Sequence, residues 1–258
     1  MKIIRHQVID STNREAARLI ATGQSGDSVI VSERQTAGQG RYDRRWESRS
    51  NLGLLFSAIR TVKINLENLP QATLVAAVAV ADGIEATTGL APKVKWPNDL
   101  LINGRKICGI LVENPVGYSN NRDDVHTLVF GVGINVSQQT TDFSSELTDR
   151  ATSLAIALEG KEIDKVLLLE AVVQKLDEWL AVWSTQGFTS IRDAWLSRNC
   201  TIGQRILLSD AATAEYGEAI GLTPDGGLSI RFDSGIVQNV DAGEISFARQ
   251  DDLSAPLR

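Results

Sequence analysis

Two hydrophobic periodicities alternate along the chain, and this alternation constrains the fold more than any other feature. Short apolar runs such as 29–31 and 128–130 are typical of strands. Between such runs lie longer segments with helical spacing, of which 164–184 is the best patterned. Because both periods recur throughout, an all-helical or an all-strand fold is excluded, and the chain is predicted to be α+β.

The first part of the chain carries most of this alternation and is predicted to form one domain, 1–199, built on a mixed sheet. Thr12 and Glu15 have the spacing of a capping box, which predicts a helix from there to Gly23. The Asn-Gly pair at 103–104 lies between two apolar runs, as in a tight β-hairpin. Further strands are predicted at 3–9, 28–33, 54–60 and 126–136, and further helices at 70–88, 152–158, 164–184 and 188–198.

The composition changes from about Gly203 onward. Short β runs follow one another at 205–209, 214–222, 228–232 and 237–240, separated by Gly and Asp turns. A segment of this kind is predicted to be a second, smaller β domain, 200–258, folded as a barrel or a sandwich.

Charge and composition exclude several classes of function. The chain has 26 Lys and Arg against 32 Asp and Glu, a net charge of −6, whereas nucleic-acid and membrane-surface binders need a basic face. Two Cys and two His are too few for a disulfide framework or a structural zinc site. No secretory segment is recognised at the N-terminus, and the longest uncharged apolar stretch, 69–81, is too short to span a bilayer. An intracellular globular protein is expected.

One segment is locally basic within this acidic chain. The arginine loop, 34–49, has two glycines and five arginines but only two acidic residues. Guanidinium groups bind phosphates and carboxylates through paired hydrogen bonds, and glycine lets backbone N–H groups approach an anion. The composition fits an anion site and a solvated basic loop equally well. Trp46, in this polar segment, either covers a flat ligand ring or anchors a lid to the core.

The segment Lys-Trp-Pro-Asn-Asp at 95–99 combines a cation, an aromatic ring and two polar side chains at the end of a strand. Loops at strand ends carry function more often than stability, although a simple turn gives the same pattern. The hairpin at 103–104 is expected to bring Asp99 close to Lys106. Cys108, within an apolar strand, and Cys200 are expected to act as small buried side chains.

Six segments, taken in order, resemble those of the biotin protein ligases. They are Ser11-Thr12-Asn13, the run QTAGQGR at 35–41, Trp46, KWPND at 95–99, the run from Arg105 to Glu113, and GVGINV at 131–136. The order and spacing match over roughly 6–136, and the GEIS segment at 243–246 resembles the end of the SH3-like domain that closes these enzymes.

This resemblance implies a fold and a reaction. The expected architecture is a mixed-sheet catalytic domain of the class II aminoacyl-tRNA synthetase and biotin ligase type, followed by a small SH3-like β-barrel. Biotin would react with ATP, with Mg²⁺ bridging the phosphates, to give biotinyl-5′-AMP. Biotin would then pass to one lysine of a biotin carboxyl carrier protein. A cytoplasmic monomer or homodimer with no nucleic-acid or membrane partner is expected.

The resemblance also assigns roles to residues. The catalytic residues would be Lys106, Arg41 and Asp99. Lys106 would lie at the biotin carboxylate and the α-phosphate, and Asp99 would take a proton from the acceptor lysine. No protein ligand for a metal is implied. Residues expected to bind biotin are Ser11, Thr12, Asn13, Gln35, Gly38, Gln39, Gly40, Arg41, Lys106 and Gly109. Residues expected to bind ATP or the adenylate are Arg41, Arg44, Trp46, Lys95, Asn98, Lys106 and Asn135.

The chain departs from the family pattern in the arginine loop. Gln39, Asp43 and Arg49 stand where many members have Arg, Gly and Pro, so the retention of the adenylate is in question. The nearest alternative is a lipoate or octanoate ligase of the same fold, which would not be expected to carry KWPND. A biotin-sensing repressor is the alternative of another class. It needs a DNA-binding domain, and the sequence begins at the first predicted strand.

Overall fold

The computed structural model describes 2–23, 26–42, 44–48, 51–115, 124–209, 214–241 and 243–248. Asp43 and Arg49, two of the departures in the arginine loop, lie outside these residues. No helix within the described ranges is long and apolar enough to cross a membrane.

Seven strands form one mixed sheet in the order β1-β2-β3-β7-β6-β5-β4. The first two strands run parallel, and every other neighbouring pair is antiparallel. The predicted mixed sheet is therefore confirmed. Its strands are β1 (Lys2–Ile9), β2 (Ser28–Gln35), β3 (Gly53–Lys63), β4 (Lys93–Lys95), β5 (Asp99–Ile102), β6 (Arg105–Glu113) and β7 (Val125–Asn135).

Helices lie on both faces of this sheet, the first on one face and the others on the opposite face. They are α1 (Thr12–Ala21), α2 (Gln71–Thr88), α3 (Leu154–Ala157), α4 (Lys165–Gln186) and α5 (Thr189–Arg198). The second of them is buried over most of its surface, which explains its Ala- and Val-rich sequence. It packs so closely on α4 that a Cβ on Gly83 would lie 2.6 Å from Val172 Cγ2.

A second sheet of five antiparallel strands follows. Its strands are β8 (Arg205–Ser209), β9 (Ala214–Leu222), β10 (Leu228–Phe232), β11 (Val237–Val240) and β12 (Glu244–Phe247), in the order β11-β10-β9-β8-β12. The last of these strands was not predicted. Within the described residues β11 and β12 are free edges, so the expected closed barrel is not confirmed.

The two sheets share one hydrophobic core. Ile206, Leu228 and Ile245 of the second sheet belong to the same buried cluster as the residues of α2 and β6. Trp96 links the β4–β5 turn to the β9–β10 turn, because its indole N–H donates to the Gly226 carbonyl at 3.1 Å. The second sheet is thus fixed against the strand end that carries KWPND.

The start of α1 differs from the predicted capping box. Ser11, not Thr12, is the N-cap, and no side-chain hydrogen bond caps the helix. The Thr12 hydroxyl lies 2.7 Å from Ser57 Oγ on β3. A polar partner on the sheet has replaced the local partner that the spacing suggested, because tertiary contacts override local capping when both are within reach.

Candidate functional site

A cleft between the seven-stranded sheet and the arginine loop gathers the predicted site residues. Those that line it are Ser11, Thr12, Asn13, Gln35, Gln39, Gly40, Arg41, Arg44, Trp46, Lys95, Asn98, Asp99, Lys106, Gly109 and Asn135. Gly38 is the exception. A Cβ on Gly38 would lie 2.9 Å from the Trp46 carbonyl oxygen, so this glycine allows the two arms of the loop to approach each other.

A β-bulge directs Lys106 into the cleft. Leu100 of β5 pairs with Cys108, but the next residue of β5 pairs with Lys106, which leaves Ile107 as an extra residue. In a regular strand, side chains three positions apart point to opposite faces. Because of the extra residue, Lys106 and Gly109 both line the cleft.

Lys106 is held by its side chain and its backbone. Its Nζ lies 2.6 Å from Asp99 Oδ1 and 5.5 Å from the centroid of the Trp46 ring. Its backbone N–H donates to the Arg150 carbonyl at 2.8 Å, and its carbonyl accepts from the Thr152 N–H at 2.9 Å. The expected proximity of Asp99 and Lys106 is therefore confirmed, and the ammonium group has a defined position.

Lys95 adds a second cation to this region. Its Nζ lies 5.2 Å from the centroid of the Phe247 ring, and burial lowers the pKa of its ammonium group. The neighbouring ammonium of Lys106 also lowers this pKa, whereas Asp99 raises it. Two ammonium groups on one side of the cleft favour an anionic ligand, which would relieve their mutual repulsion.

Trp46 packs on two glycines of the sheet. Gly109 and Gly133 face each other across β6 and β7. A Cβ would lie 2.8 Å from the Trp46 ring at Gly109 and 2.6 Å from it at Gly133. The glycine pair thus forms a shallow trough that holds the indole, and Trp46 anchors the arginine loop. Because the ring also lines the cleft, it remains available to contact a ligand.

The arginine loop also contacts the second sheet. Arg41 donates to the Gly243 carbonyl at 3.2 Å, and Arg44 forms an ion pair with Glu244. Arg41 also lies over the Tyr42 ring, 5.1 Å from its centroid. Gly243 and Glu244 line the cleft, so the end of the chain completes its wall. Sequence reasoning noted the GEIS segment only as a family feature and did not predict this contact.

The turn between β1 and α1 forms another end of the cleft. Ser11, Thr12 and Asn13 are all buried there. Gln35 Oε1 accepts from the Thr12 backbone N–H at 2.7 Å. Ser57 is fully buried beside them. Sequence reasoning missed it, because nothing in the sequence of its strand distinguishes it as a site residue.

An ion pair supports this turn from outside. Asp10 accepts the Ser11 backbone N–H at 2.8 Å and receives two hydrogen bonds from the Arg18 guanidinium. These bonds from Arg18 lower the pKa of Asp10 to about 2. The backbone carbonyl of Asp10 in turn accepts from the Ala37 N–H at 2.9 Å, so the turn is tied to the start of the arginine loop.

Asn98 and Asn135 line the cleft, but their side-chain amides form hydrogen bonds to other residues of the protein. Asn98 donates to the Ile110 carbonyl at 2.9 Å, and Asn135 donates to the Thr152 carbonyl at 3.0 Å. Asn135 Oδ1 also accepts from Gln138 Nε2 at 3.1 Å. Asn135 therefore holds the segment that clamps the backbone of Lys106. Sequence reasoning also missed the lining residues Gln138, Phe143, Leu147 and Ala151, which lie in a segment with no motif.

Burial disfavours the thiolate form of both cysteines. Cys108 is fully buried, as expected, and burial raises the pKa of its thiol. Cys200 is half-buried, and burial raises the pKa of its thiol to about 11. Across the described ranges, no group of three or more His, Cys, Asp or Glu side chains is arranged to hold a metal ion.

Fold and cleft together define a class of protein: an enzyme whose mixed sheet carries a cleft lined by lysines and covered by an arginine-rich loop. The chain belongs to the biotin/lipoate A/B protein ligase family, whose model matches residues 6–135.

Within this family, relatives that clearly resemble the chain are biotin ligases. The chain is 38% identical to the bifunctional ligase/repressor BirA of Bacillus subtilis, over 91% of this chain and 70% of that protein. It is 30% identical to the biotin--[acetyl-CoA-carboxylase] ligase of Paracoccus denitrificans, over 92% and 97%. The structure of the Aquifex aeolicus biotin protein ligase in complex with biotin and ATP has a TM-score of 0.78 and 30% identity, covering 96% of this chain and 99% of that one.

Proposed function

We propose that this chain is a biotin protein ligase. It activates biotin with ATP to biotinyl-5′-AMP and transfers the biotinyl group to one lysine of a biotin carboxyl carrier protein. The observation that carries the proposal is the 2.6 Å pair of Lys106 and Asp99, within a cleft lined by arginines from the loop and polar side chains from the turn before α1.

The first step needs positive charge rather than a base. The biotin carboxylate attacks the α-phosphorus of ATP, the bond to the β-phosphate oxygen breaks, and pyrophosphate leaves. The ammonium of Lys106 and the guanidinium of Arg41 stabilise the charge that develops on the α-phosphate. This explains how a chain with two histidines can carry out the reaction.

The second step needs a base. Asp99 accepts a proton from the ammonium group of the carrier lysine, and the free amine then attacks the acyl carbon. The bond from the acyl carbon to the phosphate oxygen breaks, and AMP leaves with the electron pair. Because Asp99 is paired with Lys106, the carrier lysine replaces Lys106 as the partner of this carboxylate.

Binding roles follow the resemblance and the lining of the cleft. Ser11, Thr12, Asn13 and Gln35 surround the biotin ring, and Gln39 to Arg41 with Gly109 and Lys106 surround the rest of the ligand. Gly38 contributes by letting the loop fold over it. The adenylate lies against Arg41, Arg44, Trp46, Lys95, Asn98 and Asn135. The protein fold divides into a catalytic domain, 1–199, and an SH3-like domain, 200–258, which contributes Glu244 to the cleft wall.

Magnesium enters with the nucleotide. The described residues do not provide a three-ligand acidic site, and Mg²⁺ binds readily through phosphate oxygens and water with few protein ligands. The nucleotide substrate is therefore Mg–ATP. The enzyme is cytoplasmic and acts as a monomer or a homodimer. Its macromolecular partner is the carrier protein, and it binds no nucleic acid.

Pyrophosphate exchange with different acids tests the function. Incorporation of labelled pyrophosphate into ATP should depend on biotin, whereas lipoate and octanoate should support little exchange. Sites built around buried hydrogen bonds reject ligands that leave those groups unpaired. Stronger exchange with lipoate would assign the chain to the other branch of its family.

A further inference from the structure

Asn51 lies where the arginine loop returns to the seven-stranded sheet, two positions before β3. Its φ is 57°, in the left-handed region that asparagine adopts more readily than most other residues. Its N–H donates to the Glu33 carbonyl at 3.0 Å, and the carbonyl of the next residue, Leu52, accepts from the Ser137 N–H at 2.8 Å. Because the chain after Asn51 is fixed in this way, rotation about its φ would move the loop rather than the sheet.

Lys165, the first residue of α4, binds Asn51 through two atoms. Its Nζ donates to the Asn51 backbone carbonyl at 2.6 Å and to Asn51 Oδ1 at 2.6 Å. Both acceptors belong to one residue, so the ammonium group can hold them together only while the side chain and the backbone of Asn51 keep their relative orientation. Lys165 therefore stabilises the backbone conformation at which the loop joins the sheet.

Lysine is unfavourable at position 165 on local grounds. It is the first residue of a 22-residue helix, where the positive end of the helix dipole disfavours a cation. Burial also lowers the pKa of the Lys165 ammonium group, and the nearby carboxylate of Glu33 offsets this only in part. An uncharged side chain would avoid both costs. The two hydrogen bonds to Asn51 are the contacts that compensate for them.

We propose that Lys165 is a positioning residue for the arginine loop, which acts through Asn51 to hold the loop closed over the adenylate. The loop carries Arg41 and Trp46, which line the cleft, whereas Lys165 is not among the described residues that line it. Loss of Lys165 should therefore loosen the loop without removing a group that touches the reacting atoms. This inference rests on the proposed function, because the adenylate is the ligand that the loop retains.

Hydrogen exchange of the ligand-free protein tests the hinge by itself. The N–H groups of Gly40, Arg44 and Trp46 are hydrogen-bonded within the loop. In Lys165→Met they should exchange severalfold faster than in wild type, because the loop opens more often. Amides in the middle of α4 should exchange at the wild-type rate. Lys161→Met, which removes an exposed lysine before α4, is the charge-matched control and should behave as wild type.

Release of the intermediate tests the consequence for the reaction. In Lys165→Met, free biotinyl-5′-AMP should leave the protein severalfold faster than in wild type. The KM for Mg–ATP should rise, whereas the rate of adenylate formation at saturating substrates should stay close to that of wild type. The Tm should not fall, because the variant removes a locally unfavourable charge. A purely structural role would lower the Tm and leave the release rate unchanged.

A second position shows whether the effect passes through Asn51. Asn51→Asp keeps both acceptor atoms and tolerates positive φ, so it should retain the adenylate as wild type does. Combined with Lys165→Met, it should release the adenylate as fast as Lys165→Met alone. Wild-type exchange and release in Lys165→Met, or equal acceleration in Lys161→Met, would overturn the proposal. If wild type formed no adenylate from biotin, the proposed function would fail, and hydrogen exchange would still decide the role of the hinge.

Discussion

Asp99 and Lys106 meet across the β5–β6 hairpin, with Oδ1 and Nζ 2.6 Å apart. The turn between the strands places Asn103 and Gly104 at positive φ, and the bulge at Ile107 directs the lysine toward the cleft. The proposed base of the second step and the proposed cation of the first step therefore form one ion pair, and substitutions can separate their contributions.

Lys106→Ala should slow adenylate formation by about 10² to 10³ fold, the usual effect of removing one preorganised group that stabilises developing charge. Binding of the biotin ring should change much less, because the ring is proposed to lie at the other end of the cleft, beside the turn before α1. Single-turnover formation of biotinyl-5′-AMP, together with biotin titration, measures the two effects. Arg105→Ala, the exposed neighbour, is the control. An unchanged rate would make Lys106 a surface charge.

Asp99→Asn should impair transfer to the carrier more than adenylate formation. Without its base, the variant depends on the fraction of acceptor lysine that is already neutral. Its transfer rate should therefore rise about tenfold per pH unit toward the ordinary lysine pKa of about 10.4. Transfer from preformed adenylate, measured between pH 7 and pH 9, checks this prediction. A pH profile parallel to that of wild type would exclude Asp99 as the base.

Arg41→Gly should release the intermediate. Arg41 joins the arginine loop to the Gly243 carbonyl, and the proposed adenylate phosphate is its second partner. Losing both contacts should open the loop, so that free biotinyl-5′-AMP labels lysines of an unrelated protein such as albumin. Arg45→Gly is the control, because the Arg45 side chain donates to the Thr36 carbonyl within the loop and to no described residue of the second sheet. Retention of the adenylate by the Arg41 variant would contradict this role.

Gly133→Ala should displace Trp46 from its trough, since the added Cβ would lie 2.6 Å from the ring. With its anchor lost, the arginine-rich loop should become a better trypsin substrate. Biotin with Mg–ATP should slow cleavage of wild type more than biotin alone. Gly221→Ala, where no atom lies within 4 Å of the added Cβ, is the control. Cleavage rates equal to those of wild type would show that Trp46 does not hold the loop.

Lys95→Met should make the protein more stable while weakening ATP binding. Burial lowers the pKa of Lys95 below its ordinary value, so its charged form is less favourable in the folded state than in the unfolded chain. The cost is present at neutral pH and disappears above the ordinary lysine pKa, where both states are neutral. The increase in Tm should therefore be largest near pH 7 and shrink as the pH rises. An increase independent of pH would attribute it to packing.

Local sequence was sufficient for most of the secondary structure. The Asn-Gly hairpin, the buried helix α2 and the individual strands β3 and β7 follow from short-range preferences and from hydrophobic periodicity, which act within a few residues. The cleft residues were also identifiable, because the biotin ligase segments occur in order along the chain. Thr12 shows where local reasoning fails, since its capping signal was overridden by Gln35 and Ser57 from distant strands.

The sequence by itself determined an α+β chain, its family and most of the polar residues of its cleft. Only the tertiary structure decided how those groups are oriented. Ile107 becomes a bulge through pairing with β5, Trp46 lies on a glycine pair from two strands, and Arg44 meets Glu244 from the other end of the chain. Each of these depends on contacts between residues far apart in sequence. Such contacts are stabilised by shared burial and charge pairing, which no local pattern of residues encodes.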